Sequence, residues 1–172
     1  MRNVTGPDSA LDQRFERLVA EYQQALLRMC CLHLRDRSLA EDAVQETFIK
    51  VYRSLASFRA ESSEKTWLMR IAINTCRDMN RDRWLRFMDR RITPEMLPEA
   101  SQPFEKREEE LVISVMNLPL KLREVIVLYY YQGMSTLEIS DALGISQSSV
   151  SGRLKRGREK LKNVLEGSGP YG

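Results

Sequence analysis

Trp67, Arg70, Asn74, Arg77 and Arg81 follow one another at steps of three, four, three and four. On a helix that spacing places an indole, an amide and three guanidinium groups on one face. Such a face can stack an unpaired base and pair with backbone phosphates, which is the chemistry of single-stranded or melted nucleic acid. The same row also suits a Trp67 packed in a core with arginine stems laid over its edge. Positive charge continues beyond it, since residues 77–91 hold six Arg against three Asp. A second concentration lies at 147–162, with six Lys or Arg and one Glu. In a chain of net charge +3 this local excess is an electrostatic footprint for nucleic acid, or else an ordinary basic surface helix. Asp42, Gln45, Glu46, Ile49 and Arg53 form a third row. An acidic patch around an exposed Ile points to a protein partner, or to a solvated face with one stray apolar residue.

The elements that must carry these rows are helices. Phe15, Leu18, Val19, Tyr22, Leu26 and Met29 recur at helical spacing after a frayed start over 1–9. Asp36–Ser38 is a polar break, and Ser38 with Glu41 has capping-box spacing for a second helix, whose apolar face is Val44, Phe48, Val51, Tyr52 and Leu55. Residues 58–63 interrupt the pattern. A third helix runs from about Thr66 to at least Arg83, with Leu68, Ile71, Ala72, Thr75 and Met79 inward. Pro94, Pro98 and Pro103 then fall in an aperiodic stretch that reads as an extended linker.

Beyond it, helices are expected over about Leu120–Tyr131, Ser135–Leu143 and Gln147–Leu165. The last two have the layout of a helix-turn-helix. Leu137, Ala142 and Leu143 face inward, Gly144 supplies a left-handed turn residue, and Ile145, Val150, Leu154 and Leu161 form the seam. The outward face of the final helix is then Gln147, Ser148, Ser149, Ser151, Gly152, Arg153, Lys155 and Arg156. Small polar residues at its start permit close approach to base edges, and the basic residues behind them reach phosphates.

Several classes are set aside. No apolar stretch is long enough to span a bilayer, and MRNVTGPDSALDQRFERL has no apolar core, so no secretory signal is read and a cytoplasmic protein is expected. Cys30, Cys31 and Cys76 cannot build a disulfide framework, and His33 is the only histidine, so no multi-histidine metal site is expected. Cys30, Cys31 and His33 share one helix end, where packing is the default reading and thiol sensing the alternative. No glycine-rich phosphate loop occurs.

The three rows together resemble a family. AEDAVQETFIKVY (40–52) with SFR (57–59), TWLMRIAINTCRDMNR (66–81) and LPLKLREVIVLYYYQGMSTLEISDALGISQSSVSGRLKRGREKL (118–161) resemble, in order and spacing, bacterial sigma factors of the sigma-70 family, extracytoplasmic-function group. The resemblance implies an all-α protein of two small helical domains joined by a flexible linker: a region 2 bundle over 10–91, a linker over 92–108 and a region 4 helix-turn-helix over 109–166. It implies that Asp42, Gln45, Glu46 and Ile49 meet the clamp helices of the largest catalytic subunit of core RNA polymerase, with the flap region receiving the second domain. Phe58, Arg59, Trp67, Arg70, Asn74, Arg77 and Arg81 would lie at the −10 element, with a flipped base received by residues 58–65. The final helix would read the −35 element, and Glu95, Glu99 and Glu105 of the linker could mimic RNA phosphates or simply solvate a tether. The resemblance implies promoter DNA and an anti-sigma protein, which could be membrane-anchored, as further partners. No cofactor, metal or catalytic residue is implied, because polymerisation and its Mg²⁺ belong to the core enzyme. The sequence departs from the family at Ser148–Arg153, where Ser151 stands for a usual basic residue and Gly152 for a usual Ser. The competing reading is a helix-turn-helix regulator acting independently of polymerase.

Overall fold

A computed structural model describes the backbone of residues 7–84 and 106–167, and the side chains of 9–81 and 108–167. The expected linker lies outside these residues as far as 105, with Glu95, Glu99 and Glu105 in it. The described residues are helical and contain no strand. The order is α1 (Pro7–Leu34), α2 (Arg37–Leu55), α3 (Glu64–Trp84), α4 (Lys106–Asn117), α5 (Leu120–Ile126), a π-helical segment (Val127–Tyr131), α6 (Thr136–Leu143) and α7 (Gln147–Gly167). Among these residues no helix is long and apolar enough to cross a membrane.

In the first bundle α1 packs on both α2 and α3, and α2 on α3. The core is the set of stripes read from spacing: Leu18, Leu26 and Met29 from α1, Val44, Phe48, Val51 and Leu55 from α2, and Leu68, Ala72 and Thr75 from α3 are buried. Three expectations fail. Tyr52 is 45% exposed, because it sits at the margin of its stripe, with its hydroxyl donating to Asp12 and its ring edge-on to Phe15. Ser38 does not cap α2. Asp36 does, in extended backbone, its carboxylate accepting from the Leu39 amide. A carboxylate is a strong N-cap acceptor, and it leaves Ser38 inside the first turn. Helix α1 is also regular from Pro7, earlier than the frayed start suggested.

In the second bundle α7 packs on α4, α5 and α6. Ser135 caps α6 in a complete capping box with Glu138, and Gly144 ends it with φ 65° and ψ 37°, the left-handed conformation its turn required. Ser146 in turn accepts from the Ser149 amide at the start of α7. Val150 and Leu154 are buried at the seam, with Ile145 and Leu161 packed against it. Leu137 is a correction: it is 58% exposed, and Ile139 takes the inward place. Ile139, Ala142 and Leu143 stand at i, i+3 and i+4; Leu137, two positions before Ile139, points away from that face.

The two bundles are packed together. Helix α3 lies on α6, while α1 touches α4, α5 and the π-helical segment. Arg123 of α5 is buried at this seam. Its guanidinium donates to the Met116 and Leu118 carbonyls at the end of α4 and, at 2.9 Å, to the His33 carbonyl at the end of α1. Carbonyls at helix ends lack helical partners, so one side chain closes two of these ends at once. Gln132 donates to the Ala25 carbonyl, and Lys65 donates to the Gln132 carbonyl.

Two glycines of α7 differ in kind. A Cβ at Gly157 would lie 2.8 Å from Ile126 Cγ1 and 3.0 Å from its Cδ1, so α7 approaches α5 only because no side chain is there. A Cβ at Gly152 would meet only the Arg156 guanidinium, at an ordinary 3.5 Å. In urea unfolding, Gly152→Ala is expected to stabilise the chain by about 0.5–1 kcal/mol, and Gly157→Ala to destabilise it by about 1–3 kcal/mol. Equal effects at the two positions would contradict the close approach.

Candidate nucleic-acid interface

Helix α7 presents the expected surface. Gln147, Ser148, Ser149, Ser151, Lys155 and Arg156 are exposed, and Gly152 and Arg153 are half-buried. The capping chain that sets α6 and α7 at their angle also orders this surface. Gln147 donates to the Thr136 hydroxyl across the turn, and the Ser146 hydroxyl lies 3.0 Å from that of Ser148 and donates to that of Ser149. Small hydroxyls therefore project from the first turn, and the basic side chains follow one and two turns behind. Arg158 reaches the exposed Tyr130 hydroxyl at 3.4 Å, which draws the π-helical segment beside the basic face.

On α2, Asp42, Gln45 and Ile49 are exposed and Glu46 is half-buried, with Lys50 3.8 Å from its carboxylate. Ile49 and Gln45 border an open apolar groove between α1 and α2, lined also by Phe15, Val19, Phe48 and Tyr52. Of the acidic row, Gln45, Ile49 and Arg53 line this apolar trough, and Asp42 and Glu46 stand on the same helix outside its lining.

The α3 row is not one open stripe. Trp67 is half-buried, its ring tilted 34° against Phe58 with centroids 4.6 Å apart, and the Arg14 guanidinium lies 5.3 Å over Phe58. Glu64, held by Arg14 and Arg17 of α1, fixes the start of α3 beneath this aromatic pair. Hydrogen bonds from these two arginines, Arg17 first, outweigh burial and hold the Glu64 carboxyl below its ordinary range. Arg59 and Asn74 are exposed, and Arg81 is exposed and paired with Asp78 at 3.1 Å. Arg70 is half-buried, with its Nε buried and without a hydrogen-bond partner. Arg77 is taken. Its fork donates from Nε to Oε1 and from Nη2 to Oε2 of Glu124 on α5, at 2.8 and 2.9 Å.

Glu124 is the group that sequence reasoning missed. It is 2% exposed, and His33 Nε2 reaches its Oε1 at 3.1 Å. Burial alone would raise its pKa, but the hydrogen bonds from His33 and Arg77 prevail and bring it down to about 2. The signal lay in its sequence context: a single acid inside the largely apolar run LREVIVL must either face water or find a cation. His33, packed as its default reading held, is kept neutral mainly by burial and by the charges of Arg123 and Arg77, which outweigh the attraction of Glu124. With Nε2 donating to Glu124, its Nδ1 is left to accept from Asn80, at 3.4 Å. Burial also lowers the Arg123 pKa to about 10.

The cysteines are buried, with the Cys76 and Cys30 sulfurs 3.5 Å apart. The contact with Cys76 and burial push the Cys30 thiol well up, and burial brings Cys31 to about 11. Thiols held protonated in a core are poor nucleophiles, which favours the packing role. Among the described residues no group of three or more His, Cys, Asp or Glu could hold a metal ion.

Comparison with known proteins finds relatives along both bundles. Residues 18–86 match the family described as Sigma-70 region 2, and residues 114–161 match Sigma-70, region 4. The chain is 31% identical over 166 residues to the RNA polymerase sigma-H factor of Pseudomonas aeruginosa, covering 88% of this chain and 86% of that one. It is also 31% identical over 171 residues to the ECF RNA polymerase sigma-E factor of Haemophilus influenzae, covering 88% and 87%. Among solved structures it is similar to CnrH in complex with the cytosolic domain of CnrY, with 31% identity, a TM-score of 0.71, and coverage of 94% and 95%.

The buried histidine gives a pH dependence. Above its ordinary pKa of 6.5, His33 is neutral whether the chain is folded or not. Below it the unfolded chain takes up a proton that the folded chain resists, so stability falls with pH, at a slope approaching ~1.4 kcal/mol per pH unit. Glu124 acts lower: its contribution is complete above the ordinary 4.5 and is lost as pH falls towards about 2. Because the chain has one histidine, urea unfolding from about pH 7.5 to about pH 5.5 isolates His33. The expected result is falling stability for the wild type and a flatter profile for His33→Gln; a flat wild-type profile would contradict the buried neutral imidazole.

Proposed function

The chain belongs to the sigma-70 family, as an RNA polymerase sigma factor of the extracytoplasmic-function group, and on that footing we propose how its surfaces divide the work. As a sigma factor it binds core RNA polymerase, directs it to −35 and −10 promoter elements and promotes strand opening. Asp42, Gln45, Glu46 and Ile49 dock α2 on the clamp helices of the largest catalytic subunit. The observation that supports this is the apolar trough that Gln45 and Ile49 line, on the helix that also carries Asp42 and Glu46: the trough contributes burial, and the two acids set register and partner choice. The second domain engages the flap region.

Helix α7 reads the −35 element from the major groove, with Ser148, Ser149 and Ser151 at base edges and Arg153, Lys155 and Arg156 on phosphates. The Phe58–Trp67 pair with Arg59, Arg70, Asn74, Arg77 and Arg81 receives the −10 strand once it is single. Stacking and ion pairing on α3 exist only when the strands have separated, so they favour the opened state. Residues 58–65, where Ala60 holds a left-handed φ of 56°, form the segment that receives an extruded base. Two weak DNA contacts on one chain reinforce each other through effective concentration. The protein works by binding, in the cytoplasm, and polymerisation remains with the core enzyme. The solved relative carries a second protein's cytosolic domain, and by that likeness an anti-sigma protein, with a membrane-anchored remainder, is this chain's inhibitory partner.

In vitro transcription with purified core polymerase on a pool of promoter fragments tests the reading. Initiation that depends on this protein at a defined pair of elements is expected; folded protein that neither binds core nor initiates would return the chain to an independent helix-turn-helix regulator. Asp42→Ala with Glu46→Ala is expected to weaken core binding about five- to tenfold with the fold intact. Arg153→Ala is expected to reduce initiation on templates with the −35 element more than on templates lacking it, and equal loss on both would contradict the placement of Arg153 on the phosphates of that element.

A further inference from the structure

Arg77 stands in the α3 row assigned to the −10 strand, yet its guanidinium is already occupied. Glu124 of the second bundle meets it through both oxygens, at 2.8 and 2.9 Å, with the geometry a planar fork uses for carboxylates and phosphates alike. The contact is not a stray surface pair. Glu124 is 2% exposed and shares its Oε1 with His33 at 3.1 Å. The same side of α3 is covered further along: Lys65 donates to the Gln132 carbonyl, and Thr66 lies 3.4 Å from the Glu138 carboxylate. The start and the middle of the single-strand surface are therefore both engaged by the second bundle, while the α7 serines and basic residues stay exposed.

We infer that Glu124 is an internal competitor for nucleic-acid phosphate: it holds Arg77 in the closed arrangement of the two bundles, and a strand can engage α3 only when that pair is broken. The chain is thereby self-limiting before any partner binds. The carboxylate is suited to this because it cannot stay buried alone; losing Arg77 leaves a charge with only a neutral imidazole beside it. Breaking the pair thus favours separation of the bundles, which returns Glu124 to water and uncovers Lys65 and Thr66 together with Arg77. The same event separates the bundles as binding two promoter elements would require. This inference rests on the reading of α3 as the single-strand surface.

The test uses the full chain and a fluorescein-labelled 20-nucleotide oligo(dT) as probe, read by anisotropy at low salt. A closed population reduces apparent affinity by the fraction that is open, so Glu124→Gln is expected to bind the probe about five- to tenfold more tightly than the wild type. The gain must pass through Arg77: Arg77→Ala/Glu124→Gln is expected to bind no more tightly than Arg77→Ala. A gain that survives without Arg77 would show only the loss of a negative charge and would overturn the competition. Unchanged affinity of Glu124→Gln, while Asn74→Ala and Arg81→Ala weaken binding, would overturn it too and leave the α3 reading standing. If Asn74→Ala and Arg81→Ala have no effect, the α3 reading itself has failed and the inference falls with it. Should Glu124→Gln not fold by circular dichroism, Gln132→Ala loosens the same seam at its bond to Ala25 and carries the same expectation.

Discussion

One buried carboxylate ties this molecule together. Glu124 sits where α5 meets the end of α1 and the body of α3, and its charge is tolerated there only because Arg77 and His33 answer it. A buried charge without partners costs several kcal/mol, so the three groups must stay in register. That requirement fixes the rotation of α3 about its axis, since Arg77 and Thr66 must both face the second bundle. It also fixes the end of α1, where the His33 side chain serves Glu124 and its carbonyl accepts from Arg123. Neighbouring residues on α5 thus carry opposite charges to opposite tasks, one closing helix ends and the other holding the first bundle.

The consequence is an asymmetry between the two surfaces proposed to meet DNA. Helix α7 takes its position from caps and turns internal to its own bundle: the Ser135–Glu138 box, Gly144, Ser146 and the glycine contact with Ile126. Nothing from the first bundle is needed to present it. Helix α3 is different, because its polar face is shared between the nucleic-acid role and the seam. A duplex element can be met by the closed molecule, whereas the single strand requires a rearrangement.

Much of this was legible in residue spacing. Stripes of three and four located the helices and most of the core, and Gly144 with its flanking apolar residues located the helix-turn-helix. The departures have local causes. Tyr52 and Leu137 are apolar residues beside a stripe rather than in it, and periodicity alone assigns such margins poorly. Asp36 and Ser38 both have capping chemistry, and the carboxylate nearer the break prevailed. Gly157 is silent in sequence, because a glycine required by close approach looks the same as one merely tolerated at position 152. Glu124 could be suspected from its apolar neighbours, but its partner lies 47 residues away on another bundle. No local pattern encodes that pairing, so the row containing Arg77 looked open when it is half closed.

The most direct measurement is the distance between the bundles in solution. Spin labels on Ser57, beyond the end of α2, and Asp141, on α6, sit on exposed positions of different bundles. Pulsed dipolar spectroscopy on the free protein should give one narrow distance distribution, which Glu124→Gln broadens towards longer distances. Assembly with core polymerase and promoter DNA should replace it with a single longer distance. A free protein with the broad distribution of two tethered bodies, unchanged by Glu124→Gln, would contradict the account at its centre.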